Sequence, residues 1–97
     1  MATFLVKRED GHFLNVTPAT IAALPTAELV REDGWGILRL RHAASGDVVV
    51  IDDEMPGLRL WFEGGKLDDA TQARIATDIG ARLAAATGHP VITIPIG

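Results

Sequence analysis

Val48-Val49-Val50-Ile51-Asp52-Asp53-Glu54-Met55-Pro56-Gly57-Leu58-Arg59-Leu60-Trp61-Phe62-Glu63 is the stretch that decides the fold class. Its first four residues are β-branched with no polar break, the pattern of a central strand buried on both faces. Its last six alternate, Leu58, Leu60 and Phe62 against Arg59, Trp61 and Glu63, so that strand has one dry face and one wet or partly covered face. Pro56-Gly57 separates the two as a turn signal.

Working outward, the same pattern continues as an antiparallel meander. Ala27–Glu32, Gly36–His42, Asp47–Asp52 and Leu58–Glu63 are strand-length runs. Asp33-Gly34, Ala44-Ser45-Gly46-Asp47 and Pro56-Gly57 mark the turns between them. Leu38 and Leu40 oppose Arg39 and Arg41, again one dry face and one wet one. Upstream, Thr3–Lys7 and His12–Val16 read as a hairpin around Asp10-Gly11. Thr17-Pro18 then starts a short helix, Pro18–Leu24, which Pro25 stops.

Downstream, Gly64-Gly65 ends the meander and the clearest helix follows, Asp69–Thr87. Asp69-Ala70-Thr71-Gln72 has capping-box form, and acids at Asp68 and Asp69 suit the positive end of the helix dipole. Ile75, Ile79, Leu83 and Ala86 fall on one stripe, with Arg74, Asp78 and Arg82 near the opposite edge as i, i+4 pairs. Gly80 inside this helix implies close approach to the sheet. Gly88 is the stop, and Val91–Ile96 is a last strand that Pro95 confines to a sheet edge. The order ββαββββαβ defines an α+β fold: a mostly antiparallel sheet with one main helix on one face and a short second helix.

The bulk numbers narrow the function classes. Ninety-seven residues make a single domain, 1–97, and 47% hydrophobic residues with a mean hydropathy of +0.20 supply a core. No apolar run approaches the ~20 residues of a membrane-spanning helix, and the start lacks the order of a secretion signal. Cysteine is absent, so a cytoplasmic location is expected. The Ala-, Gly- and Arg-rich composition points to a high-GC bacterial or phage source. The net charge is −4. Between Asp47 and Asp69 seven acids stand against two bases, Arg59 and Lys66, so the negative charge lives in the middle of the sequence. That balance excludes phosphate-backbone binding as the expected role, and with it a nucleic-acid partner.

Few motifs carry chemistry. Val-Val-Val-Ile-Asp-Asp-Glu, taken alone, resembles the acidic pocket at the first strand of phosphorylation receiver domains, where paired acids hold Mg²⁺. The resemblance stops there. In that family the acids open a parallel, doubly wound fold near the N-terminus; here another strand follows, and no later strand ends in a phosphorylatable Asp or a Lys. A Ca²⁺ site needs oxygens spread by a loop, whereas consecutive strand acids point to alternating sides. Gly64-Gly65-Lys66 lacks phosphate-loop spacing, with acids where the anion would sit. His12, His42 and His89 lack metal-ligand spacing, and Ser45 reads as a turn former. Trp35, between glycines, is expected to be buried over the sheet edge. Trp61 is core if helix Pro18–Leu24 covers its face, and an exposed interface anchor if not.

The expected function is therefore non-enzymatic. No catalytic residue, metal site or cofactor is assigned. The expected role is an acidic protein-binding module, an inhibitor or immunity-type protein that neutralises a basic partner such as a toxin or nuclease. Asp52, Asp53, Glu54 and Glu63 are its expected charge contacts and Trp61 its anchor. Two alternatives use other features. One is a small Mg²⁺-dependent enzyme or ligand-binding domain built on Asp52, Asp53 and Glu54. The other is a structural or assembly subunit that forms a homodimer through the edge strand Val91–Ile96.

Overall fold

A computed structural model describes residues 2–97. The elements are β1 (Thr3–Arg8), α1 (Pro18–Ala22), β2 (Leu29–Glu32), β3 (Leu38–His42), β4 (Val48–Glu54), β5 (Gly57–Glu63), α2 (Asp69–Thr87) and β6 (Val91–Pro95). All six strands form one sheet in the order β2-β3-β4-β5-β1-β6, every neighbouring pair antiparallel. The chain has the α+β fold that the patterning requires, and β4 and β5 are its central pair.

One segment departs from that reading. His12–Val16 does not pair with β1 and runs irregularly. The reason is competition: β5 occupies one side of β1 and β6 the other, so no edge is left for a local hairpin. The segment is tied down instead by the Leu14 N–H, which donates to the Pro56 carbonyl at 2.9 Å, and by the buried Leu14 side chain.

Strand alternation divides the sheet into two unlike faces. Phe4, Leu60, Ile51 and Leu38 lie in one cross-strand row, with Val6, Leu58, Phe62, Val49 and Leu40 on the same side, and all are buried. Helix α2 covers this face with Ile75, Ala76, Ile79 and Leu83. Gly80 sits where the helix comes closest: a Cβ there would fall 2.6 Å from Thr93 Oγ1, so the glycine permits the approach. The short helix α1 packs against α2 on this same side and buries Thr20, with Leu24 buried just beyond its end. Thr17 caps it by accepting the Thr20 N–H, as its sequence requires.

The cap of α2 differs by one residue from the expected capping box. Asp68 is the N-cap and accepts the Thr71 N–H at 2.8 Å. Gln72 turns inward instead, donating to the Leu67 carbonyl and accepting from the Ala2 N–H. Gly88 ends the helix in the left-handed region at φ 77°. Upstream, Asp47 is 1% exposed, and its Oδ2 accepts the N–H groups of Lys66 and Leu67 at 2.9 and 2.8 Å. This carboxylate fixes the connection from β5 to α2. Gly64, at φ 118°, passes so near it that a side chain would strike it.

Candidate functional site

The second face of the sheet carries no helix among the described residues. Its central row is Thr3, Trp61, Val50, Arg39 and Glu32; beside it lie Asp52, Arg59, Leu5 and Ile94. Because α1 packs on the opposite side, it does not cover Trp61. Trp61 is half-buried, and what shields it is Trp35, from the loop between β2 and β3. The two rings lie 5.3 Å apart at 39°, and the Arg59 guanidinium sits 4.6 Å from the Trp61 ring centre. Trp35 itself is 60% exposed and reaches over the middle of the sheet, so its expected burial at a sheet edge is corrected. The loop that delivers it is held by its backbone: the Ile37 N–H donates to the Ile51 carbonyl at 3.0 Å, and Gly34 crosses directly over the Arg39 side chain.

Asp52, Asp53 and Glu54 belong to β4 and pair with Arg59, Leu58 and Gly57. The hairpin then closes through Met55 and Pro56, joined by a cis peptide bond. Alternation sends Asp52 to the tryptophan face and Asp53 to the other side, where it lines a groove of about 430 Å³ with Phe13, Val16, Ile21 and Ile37. Met55 stands 80% exposed at the tip. None of the three acids forms an ion pair among the described residues. The hairpin tip thus carries three unneutralised carboxylates around an exposed methionine.

Glu63 does not join them. It lies opposite Val48, four positions along β5 from Arg59, ~13 Å at strand spacing. Arg39 Nη2 donates to it at 2.9 Å, and Arg39 also pairs with Glu32 at 3.6 Å. Glu63 is thus part of an ion ladder across β2, β3 and β5. Nor do the carboxylates converge as ligands: among the described residues no three His, Cys, Asp or Glu side chains could hold a metal ion.

One arrangement lay outside the sequence reading. His42 Nδ1 is 2.8 Å from Ser45 Oγ, and its Nε2 is 3.5 Å from Glu28 Oε2, a serine–histidine–acid string. Its geometry is that of a turn lock. Ser45 Oγ also accepts the Asp47 N–H at 3.2 Å, and His42 Nδ1 accepts the Ser45 N–H at 3.2 Å, so both groups close the β3–β4 turn. Glu28 is engaged by Arg74 at 2.6 Å, and this guanidinium holds its carboxyl below the usual range.

Comparison with protein-family models, curated proteins and solved structures gave no match. No helix of the described residues is long and apolar enough to cross a membrane. The class defined by fold and site is an α+β domain with one helix-covered and one open sheet face.

Proposed function

We propose that this chain is a non-enzymatic protein-binding module that docks a basic protein partner with the hairpin tip and the adjoining open face. Trp35 and Trp61 are its apolar anchors, and Asp52, Asp53 and Glu54 its charge contacts. The observation that carries the reading is the tryptophan pair on an uncovered sheet face beside Asp52 and Glu54, with Asp53 on the reverse of the same hairpin tip and none of the three in an ion pair among the described residues. Buried aromatic anchors supply most of the binding free energy at an interface, while charges of one sign steer the partner and set the salt dependence. Met55 adds an adaptable apolar contact at the tip. Glu63 serves the fold in this reading, because Arg39 already neutralises it.

Among such modules, inhibitors of the immunity type fit best. They present acids to the positively charged working face of a toxin or nuclease, and they act in the bacterial cytoplasm, which the cysteine-free composition suits. The test is to co-purify the chain with the product of the neighbouring reading frame and to measure affinity by titration calorimetry. Reversing Asp52 and Asp53 to Lys is expected to weaken binding by about tenfold or more, with a steeper loss at low salt. Unchanged affinity would overturn the assignment.

A further inference from the structure

The two edges of the sheet are protected unequally. At one edge β2 is four residues long and reads Leu-Val-Arg-Glu, with Glu28 before it and Asp33 after it. Short length and charge are the usual means of stopping a strand from pairing with another chain. At the other edge Val91–Gly97 carries no charged side chain, and Ile92 and Ile96 are exposed.

The phase of hydrogen bonding on β6 follows from its flanks. The Glu9 N–H donates to the Pro90 carbonyl, and the Ile96 N–H to the Thr3 carbonyl. In an antiparallel pair such groups alternate, so Ile92 and Ile94 turn their backbone toward β1 while Val91, Thr93 and Pro95 turn theirs outward. The outer rungs offer the N–H groups of Val91 and Thr93 and the carbonyls of all three. No strand pairs with them among the described residues.

We propose that a second copy of this chain occupies this edge, pairing β6 antiparallel with β6 about a two-fold axis through Thr93. That register engages the whole strand. Each Thr93 exchanges both bonds with its counterpart, and each Val91 N–H meets the carbonyl of the other copy's Pro95, so every outward donor is used. The donor that proline lacks is needed only at the ends of the pair. Side chains agree with this phase: Ile92 of each copy lies beside Ile94 of the other on the open face. On the covered face Val91 and Thr93 adjoin a groove of about 260 Å³ lined by Thr77, Gly80, Ala81 and Ala84, which leaves room for the second copy. Although the chain carries −4, neither this edge nor this groove carries a charged side chain, so no side-chain repulsion opposes two copies meeting there. The result is a continuous sheet of twice six strands.

A strand pair with so small a flanking contact lies at the weak end of stable interfaces, so the dimer forms in the roughly micromolar range. Light scattering after size exclusion on the full chain is expected to show a mass rising from 10.3 kDa toward twice that value with concentration. Thr93→Pro removes an outward donor and leaves every bond to β1 in place. It is expected to stay monomeric with unchanged circular dichroism. Amide hydrogen exchange on the unaltered chain decides the matter if that variant does not fold. Val91 and Thr93 should gain protection of about tenfold or more as concentration rises, while Ile92 and Ile94 stay protected throughout. A chain that remains monomeric at every concentration overturns the proposal. So does a dimer that Thr93→Pro leaves intact, or one in which the Val91 and Thr93 amides exchange freely. Any of these outcomes leaves the reading of the tryptophan face untouched.

Discussion

Two adjacent cross-strand rows in the same sheet show how differently its faces are used. Phe4, Leu60, Ile51 and Leu38 form one row, and all of them are buried in the core that α2 shares with Leu14 and Leu24. One residue along, Thr3, Trp61, Val50 and Arg39 form the next row, facing the other way, and only Val50 is fully buried. The first row is closed by a separate element, so its burial is part of folding. The second is closed only by side chains lying across one another: Trp35 on Trp61, Arg59 on Trp61, Arg39 against Glu63. A covering of that kind can be exchanged for a partner at little cost to the fold. The covered face makes the domain, and the proposed function places recognition on the open one.

The contrast breaks most visibly in the core. Leu60→Ala, at a fully buried position under α2, is expected to lose about 2–5 kcal/mol in urea unfolding, from lost transfer free energy and the cavity left behind. Asp47→Ala attacks the connection that places α2 over that face. It strips the part-buried N–H groups of Lys66 and Leu67 of their shared acceptor and is expected to cost about 1–3 kcal/mol by the same measurement. On the open face Trp35→Ala should change stability by less than about 1 kcal/mol despite the size of the side chain, because it is 60% exposed. A loss as large as that of Leu60→Ala would erase the distinction between the faces. The smallest effect is that of pH. The Glu28 carboxyl is lowered from 4.5 chiefly by its hydrogen bonds to Arg74. A depressed acid stabilises the fold above its unfolded value and loses that contribution as pH falls through the folded one. Acid unfolding of Arg74→Gln should therefore diverge from the parent at neutral pH and converge with it at the acid end, once Glu28 is protonated in the folded chain as well.

The covered face was legible in the sequence because its signals are local. The Leu58–Glu63 alternation, the Ile75–Ile79–Leu83 stripe and the Thr17-Pro18 start each depend on near neighbours, and each appears in the structure. The local pattern of His12–Val16 suits a hairpin strand, but the segment that takes that edge of β1, Val91–Pro95, lies about eighty residues away along the chain. The open face was less legible for the same reason. Whether Trp61 is covered depends on which side α1 packs, and the role of Trp35 depends on a loop crossing the sheet. Glu63 looked like one more acid of a charged segment until the β3–β5 distance gave it Arg39. Asp47, counted with the same segment, is a buried acceptor for two backbone groups.

The chain has only two tryptophans, and both lie on the face assigned to recognition. Their indole N–H resonances therefore read the central claim directly when the isotope-labelled chain is titrated with its co-purified basic partner. The account predicts that both indole signals and the backbone signals of Asp52–Met55 shift or broaden, while those of the exposed flank of α2 stay in place. Unmoved indole signals beside a shifted α2 would contradict it.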